Sequence, residues 1–168
     1  QRVHPCMVPI GNPIAKVSGS TNAIVADGNF AGTIIQEGAG AGAGPTASAV
    51  ASDIIDIARG HRVPTFGVPA KQLKVFPTIP IQNHSGAFYI RLMVLDKPGV
   101  LAEIAAALRD HEVSMESVLQ RTRDPGEAVP VVMTMHEAKE SSMAKAMEKI
   151  STVGAVVESP RLIRIESH

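Results

Sequence analysis

The stretch Ala87–Leu108, AFYIRLMVLDKPGVLAEIAAAL, constrains the fold most, because its side-chain periodicity changes once, in the middle. From Phe88 to Leu95 the residues alternate, with Phe88, Ile90, Leu92 and Val94 on one face and Tyr89, Arg91, Met93 and Leu95 on the other. That is the pattern of a strand. From Val100 the apolar positions become Val100, Leu101, Ile104, Ala105 and Leu108, the stripe of an amphipathic helix. The junction is Asp96-Lys97-Pro98-Gly99. Pro98 cannot continue a central strand, Gly99 permits close backbone approach, and the first free amides of the helix point into the turn. A small anion or a carboxylate suits such a place.

The remaining C-terminal sequence continues these periods. Val113–Thr122 predicts a second strand, Asp124-Pro125-Gly126 a turn, and Val129–His136 a third strand in which Val131, Met133 and Met135 alternate. Ser141 or Ser142 starts a second helix with the stripe Met143, Ala146, Met147 and Ile150, and Leu162, Ile163 and Ile165 mark a last strand. The order βαββαβ packs both helices on one face of a four-stranded antiparallel sheet, the ferredoxin-like arrangement, so the class is α+β. A unit of about 80 residues buries only about 60 to 65% of its unfolded surface and commonly leans on a partner.

Upstream the signals are shorter. Val8-Pro9-Ile10 reads as a strand-like piece among prolines, Ala15–Val25 as a second extended stretch, Asp27-Gly28-Asn29 as a hairpin turn and Phe30–Gln36 as another strand. The run Gly38–Thr46, of alternating tiny residues, leads into a helix over Ala47–Arg59 with Val50, Ile54, Ile57 and Ala58 on one side and Thr46 placed to cap it. A strand, a glycine turn and a helix N-terminus can form a phosphate cradle, although a glycine-alanine run is more often a tight or mobile connection than a nucleotide site. Between Gly60 and Gly86, Pro64, Pro69, Pro77 and Pro80 exclude both a long helix and a central strand, which predicts a surface linker over 61–86.

Several function classes are disfavoured. Net charge is zero over 168 residues, with one Tyr, four Phe and no Trp, so neither a basic patch nor a stacking platform points to nucleic acid. No uninterrupted apolar run reaches the roughly 20 residues that span a bilayer. Cys6 stands alone, which fits a reducing cytoplasm. His4, His61, His84, His111, His136 and His168 show no ligand spacing, so no metal site is expected. The Met cluster reads as core filler, and the charged helical residues Glu103, Arg109, Asp110, Lys139, Lys145, Glu148 and Lys149 as a solvated face.

Two resemblances bear on function. Leu95–Leu101 with Ser114–Gln120 downstream, set in the βαββαβ order, resembles the ligand loop and second strand of an ACT domain, an amino-acid-sensing module of biosynthetic enzymes. His4-Pro5, Pro9, Asn22-Ala23, Gly32, Gly40-Ala41-Gly42, Pro45–Val50 and Asp53 resemble, in that order, the end of the catalytic region of homoserine dehydrogenase, which an ACT domain follows in many bacterial members. Cys6 and Met7 depart from the more usual Thr and Leu after His-Pro, and Asn29-Phe30 from an acid and a small residue.

The resemblance implies residues 1–60 as an incomplete α/β catalytic segment and residues 87–168 as an ACT regulatory domain. It implies an enzyme that interconverts aspartate semialdehyde and homoserine with NADP or NAD, in threonine and methionine synthesis. Gly40, Gly42 and Thr46 would stand near that cofactor. Asp96, Gly99, Val100, Leu101 and Gln120 would hold an effector, L-threonine or another small amino acid, in a homo-oligomer. The family's dinucleotide-binding unit and its catalytic acid and lysine have no match here, and Lys16 is out of context, so the segment has no catalytic residue of its own and is expected to be silent alone. The alternative is a free-standing amino-acid-binding ACT regulatory subunit.

Overall fold

The computed structural model describes residues 2–62, 64, 66–121 and 124–166. Thr122, the predicted end of the second strand, and His168 lie outside the described residues. The chain divides into two compact units: Ile10–Thr78, and a second that joins the segment ending at Pro9 to everything from Ile79 onward.

In the second unit, β4 (Ser85–Leu95) runs through the centre of a sheet and places Phe88, Ile90, Leu92 and Val94 in the core, each at most 2% exposed. Helix α2 (Val100–Asp110) covers them with Val100, Ile104, Ala107 and Leu108; Ala107 rather than Leu101 completes its buried stripe. Then come β5 (Met115–Gln120), β6 (Ala128–Lys139), α3 (Glu140–Ser151) and β7 (Arg161–Ile165). Strands β7, β4, β6 and β5 lie in that order and are antiparallel throughout, as the ferredoxin-like pattern requires. Val131, Met133 and Met135 on β6 meet Met143, Ala146 and Ile150 on α3 in one cluster. The unbranched methionines fill the gap between sheet and helices.

The sheet has a fifth strand. β1 (Cys6–Met7) pairs in parallel with β7, Cys6 opposite Arg164 and Met7 opposite Ile165, and the Glu166 amide donates to the Met7 carbonyl at 2.9 Å. The expected strand at Val8-Pro9-Ile10 does not form, because Pro9 has no N–H to give to a ladder. Beneath this edge, Arg164 makes a two-pronged ion pair with Glu140, the first residue of α3; Nε donates to Oε2 at 2.9 Å. Hydrogen bonding to Glu140 raises the Arg164 pKa above its ordinary value against the opposing effect of burial, with the charges of Glu140 and Glu166 adding to the rise. The Glu140 amide in turn donates to the His84 carbonyl at 2.8 Å.

In the first unit, β2 (Thr21–Gly28) and β3 (Gly32–Ala39) form an antiparallel hairpin, and α1 (Ala43–Ala58) follows. The front of the expected Ala15–Val25 stretch is instead a 3-10 turn, Pro13–Lys16, capped by the side-chain amide oxygen of Asn12, which accepts from the Ile14 amide at 3.1 Å. Phe30 sits in the hairpin turn rather than in a strand. Helix α1 begins at Ala43, not at Ala47: Gly42 is its N-cap residue and Thr46 lies inside its first turn. Ala-rich sequence favours helix, and Pro45 is tolerated so near a helix start. Among the described residues of Ile10–Thr78 none is buried, and Val50, Ile54 and Ile57 on α1 remain more than half exposed. A single hairpin and a single helix do not enclose a core.

Candidate functional site

The Asp96 loop closes one end of an open cleft lined by Val94–Leu101, Gln120, Arg121 and Pro125. Its shape follows from two backbone facts. Gly99 caps α2 with φ +92°, a left-handed conformation that a side chain would strain, and it has no side-chain capping bond. The first i→i−4 bond of the helix runs from Glu103 to the Gly99 carbonyl at 3.0 Å, so the amides of Leu101 and Ala102 precede the helical ladder. These donors and the positive end of the helix dipole meet at the cleft.

Asp96 is held from the other side by the β5–β6 turn. Its amide donates to the Glu127 carbonyl at 2.8 Å, and the Gly126 amide donates to its carbonyl at 3.2 Å. Its carboxylate accepts from the Asp124 amide at 2.9 Å through Oδ2 and from Gln120 Nε2 at 3.3 Å through Oδ1. A carboxylate offers about four acceptor positions, so these two bonds leave room for a ligand donor. The two polar residues singled out in the sequence, Asp96 and Gln120, are therefore partners. Gln120 sits opposite Val131, whose side chain is in the core, so it projects from the helix-covered face of the sheet. Of the other expected effector residues, Leu101 is exposed beside the loop, whereas the Val100 side chain is 6% exposed and belongs to the core. Asp124 and Pro125 were legible only as a turn. Their place against Asp96 depends on β5–β6 pairing, which no local pattern reports.

The cleft measures about 690 Å³. That is within the roughly 300–1,000 Å³ usual for ligand sites and larger than any small amino acid, so selection among such ligands falls to polar groups, not volume.

The glycine loop of the other unit is a different kind of place. Gly42 has φ +125°, and a Cβ there would touch Pro45 at 3.4 Å. The Thr46 amide donates to the Gly42 carbonyl at 3.1 Å and is spent, which leaves the amides of Ala43 and Gly44 at the helix start. Gly38 and Gly44 have no heavy atom within 4 Å of a Cβ position, so the backbone is open to close approach there. Gly40 differs: the Asn22 carboxamide occupies the space of its missing Cβ. The loop thus fits the edge of a polar cofactor at Ala43 and Gly44, while Thr46 is not the cap that the sequence suggested. Among the described residues there is no cluster of His, Cys, Asp or Glu suited to a metal ion, and no helix long and apolar enough to cross a membrane.

Comparison with known proteins is consistent along the whole chain. The family described as homoserine dehydrogenase matches residues 1–55, and the ACT domain family matches residues 88–155. The homoserine dehydrogenase of Neisseria gonorrhoeae is 35% identical over 172 residues, covering 99% of this chain and 40% of that protein. That of Helicobacter pylori is 36% identical, covering 99% and 39%. A solved homoserine dehydrogenase from Thiobacillus denitrificans superposes with a TM-score of 0.85 at 35% identity, over 99% of this chain and 38% of that one. The chain thus spans about two fifths of the length of these relatives. With both families matched in order, and with similarity to homoserine dehydrogenases running along 99% of the chain, the chain is similar to the C-terminal portion of such an enzyme, the portion that carries an ACT domain.

Proposed function

We propose that this chain is the cofactor-flanking and regulatory part of a homoserine dehydrogenase, which interconverts aspartate semialdehyde and homoserine with NADP or NAD. The bound nicotinamide would supply the hydride. The residues here would bound its site, through the amides of Ala43 and Gly44 and the path set by Gly40 and Gly42. The exposed Val50, Ile54 and Ile57 face of α1 would pack at an interface of the larger enzyme. At the other site, a small amino acid would lay its carboxylate on the Leu101 and Ala102 amides and its ammonium on Asp96, with Gln120 reading the side chain. L-threonine, an end product of the pathway, is the effector we favour, acting by preferring one conformational state of a homo-oligomeric enzyme in the cytoplasm.

The observation that carries this reading is the Asp96–Gln120 pair at the N-terminus of α2, in a chain whose first third matches a dehydrogenase. Calorimetric titration of the chain with L-threonine, beside assay of the source polypeptide for NADPH-dependent reduction of aspartate semialdehyde, tests both halves. Saturable binding and turnover are expected; binding without turnover would favour the free-standing regulatory subunit.

A further inference from the structure

Among the described residues, Gly40 is the one glycine whose Cβ would come within 3.0 Å of another residue's side chain. In the β2–β3 register Asn22 lies opposite Gly38, and Gly40 is its diagonal neighbour two residues further along the same face. Both positions lack side chains, which opens a slot across the end of the hairpin. The Asn22 carboxamide lies in that slot, and a Cβ on Gly40 would collide with Nδ2 and Cγ and come to 2.8 Å from Oδ1. Neither backbone angle nor crowding by backbone explains this glycine: its φ is not left-handed, and the three nearest atoms all belong to Asn22. The Gly40 amide donates to the Ser20 carbonyl at 2.9 Å, so the backbone there is already tied to the strand before it. The next residues are Ala41 and the cap Gly42, so whatever sets Gly40 also sets where α1 begins.

We infer that Asn22 is a positioning residue for the glycine loop. Its side chain seats the backbone at Gly40, so that Gly40 is a glycine because of Asn22 and the pair fixes the path into α1. The resemblance implies Gly40 near a cofactor; the structure gives the space of its missing Cβ a protein neighbour, Asn22. The steric pairing stands on this geometry alone, and only its bearing on cofactor binding rests on the proposed function. Because the contact is steric, its removal has a definite signature: trimming either partner should relieve what enlarging the other creates.

The test uses the 168-residue chain, with amide hydrogen exchange read at residues 40–46 and the amides of β4 and β6 as the control for folding. Gly40→Ala should raise exchange at Thr46, which bonds to Gly42, by about five- to tenfold, the effect of an ordinary local steric mutation. Adding Asn22→Ala should restore it to within about twofold of that background, whereas the isosteric Asn22→Asp should leave it raised. Equal exchange in the Ala and Asp backgrounds, or no effect of Gly40→Ala, overturns the inference. In the source polypeptide, NADPH affinity by fluorescence should follow the same order. If affinity is indifferent to all these variants while exchange shows the rescue, the pairing holds and the cofactor reading of the loop fails.

Discussion

Gln120 Nε2 donates to Asp96 Oδ1 at 3.3 Å, joining the end of β5 to the loop before α2 across 24 residues of chain. A neutral donor thus orients a carboxylate that also accepts from the Asp124 amide. Replacing Gln120→Met keeps the volume but removes the donor. L-threonine affinity should fall about tenfold or more, the usual cost of losing a hydrogen bond to a charged group, with little change in thermal stability. Calorimetry with threonine and alanine side by side checks it. An equal loss for both ligands would show that Gln120 orients Asp96 rather than reading the side chain.

Asp96→Ala removes both of these acceptors. Because the carboxylate is solvent-accessible, the stability cost should be about 1 kcal/mol or less, while amino-acid binding should be lost altogether. Denaturant midpoints and calorimetry on the same sample separate the two effects; retained binding would mean that the helix amides suffice.

The Arg164–Glu140 pair is far less accessible, at 22% and 10% exposure of the two side chains. Arg164→Met should therefore destabilise by about 3 kcal/mol, since it strands a poorly solvated carboxylate, and adding Glu140→Leu should recover most of that. The Arg164 pKa is raised in the folded state, so its contribution is complete below the unfolded value and lost only as pH climbs through the folded one, at extreme alkalinity. The difference in urea midpoint between wild type and Arg164→Met should be flat between about pH 7 and 10; a steep loss of that difference across this window would contradict the assignment.

Two isoleucines should respond oppositely to the same substitution. Ile104 is fully buried and Ile54 is 61% exposed. Ile104→Ala should cost about 2–5 kcal/mol, and Ile54→Ala should change stability by no more than about 0.5 kcal/mol in this chain. Urea unfolding measures both. A large effect at Ile54 would reveal a packing partner for α1.

What could be read beforehand divides along a physical line. Phe88, Ile90, Leu92 and Val94, and the stripe of α3, were legible because a core on one side imposes period 2 or 3.6 on the residues that face it. The Asp96 loop was legible because a proline and a left-handed glycine must interrupt those periods. By contrast, β1 has two residues and a partner more than 150 positions away, which no local period encodes. Nothing local marks Glu140 and Arg164, 24 residues apart, as partners; their burial in the fold sets them apart. The start of α1 was missed because a run of glycines argues for a loop, although its alanines and Pro45 tolerate a first turn. The role of Asn22 was hidden for a related reason: a diagonal contact across a hairpin depends on register, and register is set by pairing rather than by composition.

The parallel pairing of Cys6–Met7 with Arg161–Ile165 limits how portable the regulatory module is. A gene fusion that borrowed only the residues from Ala87 onward would leave β7 with a raw edge, its backbone donors and acceptors facing solvent and ready to recruit a foreign strand. Transplanted with its short strap, the module would arrive with that edge covered. Shuffling between enzymes therefore has to carry two separated pieces of chain, and recombination within the intervening 69 residues, Ile10–Thr78, separates them.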